Sequence, residues 1–346
     1  QLLIQAWRAN QEHAWTTHGL RGTRGIDYGP IPILLYRGGL FLTQNLEHLI
    51  LLKTFLTSVA TMAALFALLA LCPWISPLAI LPVFLSLYFW VYARDLWDNS
   101  WNIPFTALAF VTYLAFVHTR RKIWLAISVL WIATILQIHL LCLPLVFAVG
   151  WHFFWKERRW ARSHVLFCLL LLLGAVGLLS PYLGHLLSTP QTPSPQPFGP
   201  GVLHFVFSFL GFRLFTAAGF EYFLGPLWYT ALPYGGLGLG AAAMAATLFA
   251  GWAFFQGIPL AWRAQNAASP VQRAASQISL ITFTLHTLLV GAQQLINHPH
   301  YYGAAWIAYF YLFALGFTHL SERLQTRRWA SLYLVSLALC FFLGVV

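Results

Sequence analysis

Asp95 and Asp98 stand three positions apart in the stretch Tyr92-Ala93-Arg94-Asp95-Leu96-Trp97-Asp98-Asn99-Ser100-Trp101-Asn102, in a chain of 346 residues with only eight acidic side chains. Carboxylates at this spacing share one face of a helical turn. Such a pair can take a proton from an attacking group or grip a divalent cation. The stretch separates two long apolar runs, and ionisable groups at a membrane edge are costly to desolvate, which favours a functional reading. A polar turn between two spans also needs soluble residues, so the spacing alone leaves both readings open.

The elements that would position these groups are set by composition. Hydrophobic residues make up 60% of the chain and charged ones 8%, against about 25% charged in a soluble domain, and the mean hydropathy is +0.71. This predicts an all-α protein, a polytopic transmembrane helical bundle. The chain opens at Gln1 inside an amphipathic pattern and stops at Val346 inside an apolar run, which reads as truncation at both ends. The net charge of +11 does not indicate nucleic acid. The basic residues form short clusters between apolar runs (Arg120 to Lys122; Lys156 to Arg162; Arg323 to Arg328), as inner loops of a membrane protein do. The four cysteines lie in or beside apolar runs without paired spacing, and they read as packing residues.

Residues 1–48 read as an outer-face loop with a surface helix over Gln1 to Trp15 and an interfacial helix over Pro30 to Thr43, too short to cross a bilayer. Residues 49–187 read as transmembrane helices, the second spanning Trp74 to Ala93. The apolar run Ile123 to Trp155 would be about 50 Å long as one helix, well beyond a core of about 30 Å. It would also put the two flanking basic clusters on opposite sides. A hairpin of two short helices at 123–155, turning near Gln137 to His139, removes both conflicts and sets His139 on the outer side. Residues 188–234 read as an outer-face loop, proline-rich and then interfacial, and 235–346 as C-terminal spans, for roughly ten crossings in all. One orientation then gathers Asp27, Arg94, Asp95, Asp98, His139, Glu221, His298 and His300 outside. Glu221 is isolated and reads as solvated. His298-Pro299-His300 does not match the ligand spacing of a closed zinc site.

With that topology the chain resembles the C-type membrane glycosyltransferases, in the group of protein O-mannosyltransferases and lipid A aminoarabinose transferases. The likeness covers residues 1 to 155 in pattern and topology alone to residue 319. Asp27-Tyr28-Gly29-Pro30-Ile31-Pro32 resembles the family's acidic or polar residue before a Pro-rich turn and an aromatic helix. Tyr92 to Asp98 resembles its second outer loop, where an arginine and an acidic or amide residue face the active cavity. Gln137-Ile138-His139 before Pro144 resembles its short hairpin with a His at the tip. His300-Tyr301 is similar to a basic-Tyr pair, although the family more often has Arg there. The family's catalytic Asp-Glu pair precedes a helix similar to Gln1 to Trp7, so the resemblance puts the principal base upstream of residue 1.

The resemblance implies an inverting transfer of a sugar from a polyprenyl-phosphate carrier, the donor substrate, to an acceptor such as a lipid, glycan or protein. The implied setting is the cell envelope, in a bacterial inner or plasma membrane with the site facing the periplasm or exterior. Asp27 would position the acceptor or act as base, against the plain reading of a turn cap. Asp95 and Asp98 would orient the sugar or hold a divalent cation. Arg37, Arg94 and Arg213, with His139, His300 and Tyr301, would hold the donor's phosphate and sugar. The expected partners are membrane lipid, the lipid-linked donor and the acceptor, with no nucleic acid. A transporter or flippase of lipid-linked sugars, or a non-catalytic relative, is the alternative; charged residues at span ends rather than mid-span weigh against transport.

Overall fold

The computed structural model describes residues 1–22, 25–189, 214–215, 236–292, 299–323 and 325–345. Every regular element among them is helical. Arg213, Glu221, His298 and nearly all of the expected 188–234 loop lie outside the described residues. The chain divides into two compact units. The first comprises Gln1–Ala64, Ala93–Gly199 and Gly303–Ala305, and the second comprises Leu65–Tyr92, Pro200–Tyr302 and Trp306–Val346.

The first unit opens with α1 (Leu2–Gln11) and α2 (Ile31–Leu42), which pack on each other. Pro30 and Pro32 start α2, where a missing N–H costs nothing. The long apolar helix α3 (Leu46–Leu71) follows. Its start is capped by Asn45, whose Oδ1 accepts the backbone N–H of Glu47 at 2.8 Å. A 3₁₀ turn at Asp98–Trp101 leads into α6 (Asn102–Thr119), buried over nearly all its length and hence the central helix of this unit. Helix α6 packs on α7 (Lys122–Ile138). At His139 the backbone becomes extended, and a 3₁₀ turn at Leu140–Cys142 feeds α8 (Leu143–Lys156). Short α9 (Arg158–Ser163) and the very apolar α10 (Val165–Ser188) complete the unit.

In the second unit the expected Trp74 to Ala93 helix is broken. A 3₁₀ turn at Pro77–Ile80, α4 (Leu81–Leu85) and α5 (Leu87–Arg94) replace it, with a bend of 61°. Two prolines in the first half and an extended Ser86 explain the break. The Ser86 hydroxyl donates to the Leu214 carbonyl at 2.7 Å. Helices α11 (Gly236–Ala264), α12 (Pro270–Ala292), α13 (Trp306–Glu322) and α14 (Arg327–Val345) pack around α13, whose aromatic side chains are fully buried. Helices α11 and α13 meet backbone to backbone. A Cβ at Gly257 would overlap the Leu312 carbonyl, and one at Gly316 would overlap that of Ala253. This is the close approach that small residues four apart permit.

Among the described residues, five helices are long and apolar enough to cross a membrane, or up to six if the bent pair is one span. The expected count of about ten also took in α7 and α8, of 17 and 14 residues, and α13 and α14, of 17 and 19 residues.

Candidate functional site

Residues 19–22 pair back on residues 26–28. The Gly19 N–H donates to Tyr28 O at 2.6 Å, Tyr28 N–H to Leu20 O at 2.9 Å, and Gly22 N–H to Ile26 O at 2.8 Å, with Arg21 and Asp27 bridged in antiparallel fashion. Gly25 turns the chain at φ 75°. Gly29 then docks the loop on the hairpin tip, donating its N–H to Gln137 O at 2.7 Å. A side chain there would overlap Gln137 Cα and Cβ.

This docking sets two acid–base couples side by side in sequence. Asp27 Oδ2 lies 2.8 Å from Nε2 of His185, and Tyr182, one helical turn before, donates its hydroxyl to Asp27 O at 2.9 Å. Arg21 Nε is 4.0 Å from the other carboxylate oxygen. The His18 ring stacks on His185 with centroids 4.0 Å apart; burial, then the neighbouring His185, hold His18 below its ordinary value, with Asp27 opposing. Beside Asp27, the Tyr28 hydroxyl is 3.0 Å from His139 Nε2. The Leu141 N–H donates to His139 Nδ1 at 3.1 Å, so Nε2 carries the ring proton and donates to the Tyr28 oxygen. The hairpin tip is also tied to the start of α6, where Cys142 Sγ reaches Asn102 Oδ1 at 3.5 Å.

Asp95 and Asp98 do not share a helical face as expected. Asp95 sits in irregular backbone, half-buried, while Asp98 opens the 3₁₀ turn and is 2% exposed. Its Oδ1 accepts the Asn99 N–H at 2.8 Å. Lys53, the one lysine inside α3 and itself buried, organises this loop. Its ammonium donates to Ala93 O at 3.2 Å and to Asp95 O, satisfying the carbonyls at the negative end of α5, and lies 5.7 Å from the centre of the Trp101 ring. Burial raises the Asp95 carboxyl above its ordinary value, with Lys53 and the Leu96 N–H opposing. Tyr36 of α2 packs edge-on against Trp101 at 6.1 Å.

The remaining expected residues are placed less uniformly. Arg37 uses Nε on Asn10 Oδ1 at 2.9 Å and Nη1 on Ala14 O at 2.7 Å, so it braces α1 and the chain after it. Arg94 is exposed and makes no ion pair among the described residues. The backbone of His300 lies in the 3₁₀ turn Pro299–Ala304. Tyr301, in the second unit, is buried and its carbonyl accepts Nε2–H of His286 at 3.1 Å. No three His, Cys, Asp or Glu residues gather as a cation site among the described residues. Sequence reasoning missed His18, Lys53, Tyr182 and His185. A lone lysine in an apolar span was the signal for Lys53, whereas His185 reads as the tail of a span. No protein-family model, characterised protein or solved structure matches this chain.

Proposed function

We propose that the protein is an integral membrane glycosyltransferase with its site on the outer face of a bacterial inner or plasma membrane. It moves a sugar from a polyprenyl-phosphate carrier to an acceptor hydroxyl or amine. The observation that carries this reading is the Asp27–His185 couple at 2.8 Å. It lies at the end of the first unit where α7 finishes and α6 begins, away from the basic residues at the start of α7 and end of α8. In the reaction the acceptor heteroatom bonds to the anomeric carbon as that carbon's bond to phosphate breaks. The phosphate leaves with the bonding pair, and the acceptor proton passes to Asp27, oriented by His185. Arg94, exposed and without an ion pair among the described residues, takes the departing phosphate. Asp95, with Asp98 behind it, orients the sugar. Any divalent cation would sit at these carboxylates. With the complete protein in vesicles and a radiolabelled polyprenyl-phosphate hexose, Asp27→Asn should lower transfer about 10²- to 10⁴-fold. Transfer equal to the unsubstituted protein removes Asp27 from the chemistry.

One observation favours transport instead. In α12 the polar atoms Gln277 Oε1, Ser279 Oγ and Thr282 Oγ1 are buried without hydrogen-bond partners among the described residues, three unsatisfied polar groups inside a candidate span. Movement of a fluorescent lipid-linked sugar between leaflets without transfer would select that reading.

A further inference from the structure

Helix α10 is the most apolar candidate span, yet only 6% of it is buried. It leaves an open crevice against α7 and α8. The space is about 520 Å³, within the range of about 300–1,000 Å³ typical of ligand sites. Val129 and Ile132 of α7, Gly150 and Phe153 of α8, and Leu172 of α10 line it, and among the described residues the one charged side chain on its wall is Arg162 of α9. Along α10 the lining runs from Val165 to Ala175, about 15 Å of helix, or half of a core about 30 Å thick. The crevice therefore has the depth of a single leaflet.

The charge at its mouth is one-sided. Glu157, the acidic residue of this cluster, is paired with Arg120. Arg121, Lys122, Lys156, Arg158, Arg159 and Arg162 are all exposed and have no acidic partner among the described residues. We infer that the crevice holds an anionic glycerophospholipid of the inner leaflet, one acyl chain lying between α7, α8 and α10 and the phosphate on Arg162. This rests on the membrane reading above but not on the transfer chemistry. A carrier phosphate engaged at the proposed transfer site does not fit here, because Arg162 and His185 stand at opposite ends of α10, about 30 Å apart along the helix.

The test is native mass spectrometry of the delipidated protein equilibrated with mixed micelles of equal phosphatidylglycerol and phosphatidylcholine with identical chains. The unsubstituted protein should retain one phosphatidylglycerol in preference. Exposed Arg162→Gln should lower that preference about fivefold, the worth of one basic residue at an anionic surface. Gly150→Leu should abolish retention of either lipid, since a Cβ at Gly150 meets nothing within 4 Å and its side chain would grow into the crevice. Equal retention of the two lipids, a preference that survives both substitutions, or a dimer in place of a bound lipid that Gly150→Leu dissociates, would each overturn the inference. Failure to float with vesicles would instead defeat the membrane reading itself, and loss of transfer by Asp27→Asn with lipid retention intact would leave this site standing.

Discussion

Asp95 shows how one side chain can be set against the stability of its own fold. Burial raises its carboxyl above the ordinary value of 3.8, so in the folded protein it keeps its proton to higher pH than in the unfolded chain. Between those two values the native state binds more protons, and stability falls as pH rises through that window. A carboxylate that orients a sugar by accepting hydrogen bonds needs the ionised form, so transfer should instead fall as pH drops through the raised value. Asp95→Asn should therefore remove the decline in stability and also lower turnover. Thermal melts and transfer rates measured across the acid range would show both effects, and an Asn variant unchanged in turnover would leave Asp95 a purely structural loop residue. Burial builds that opposition and Lys53 tempers it; the Lys53 ammonium also fixes the backbone of the Asp95 loop, a pairing that sequence spacing could not have given. The Asp27–His185 couple was hidden for a similar reason: its members are 158 positions apart, and His185 follows an unbroken apolar run that reads only as a span.

Elements were far more legible than contacts. The turn at His139 follows from two independent limits, the length of a helix against bilayer thickness and the placement of basic clusters, and α7 ends at Ile138. The break at Ser86 was not legible, because proline near a helix start is tolerated and the apolar run continues through it. Gly29 is the joint between the Asp27 loop and the hairpin. Gly29→Ala should cost about 1–3 kcal/mol through overlap with Gln137 and should displace Asp27 and Tyr28 together. Increased protease cleavage in 17–29 with α-helix content retained would report it; an unchanged cleavage pattern would mean that the loop is not docked through Gly29. In the second unit the contact between α11 and α13 has no side chain to yield at Gly257. Gly257→Val must separate two backbones and should destabilise by at least about 1–3 kcal/mol, read as lower thermal stability in detergent. Gly174→Ala, at a position with open space around it, should leave stability unchanged or slightly raised.

For the whole molecule the decisive quantity is sidedness, because a site that uses a lipid-borne sugar on the outer face requires the basic loops to stay inside. Under the proposed reading their charge would set that orientation: Arg120 to Lys122, Lys156 to Arg162 and Arg323 to Arg328 would each have to be carried across the membrane in the inverted arrangement, against the bias that retains Lys and Arg in the cytoplasm. Acidic residues impose little such bias, so the carboxylates Asp27, Asp95 and Asp98 are free to lie outside. Single cysteines placed at the exposed positions Glu47, Arg121 and Arg328, in a background stripped of the four native cysteines, read the orientation directly with a membrane-impermeant maleimide. Glu47→Cys should react in intact cells, and Arg121→Cys and Arg328→Cys only after permeabilisation. The reverse pattern would put the Asp27–His185 couple in the cytoplasm, where a donor displayed on the outer face cannot reach it, and would end the glycosyltransferase reading whatever its residues can do chemically.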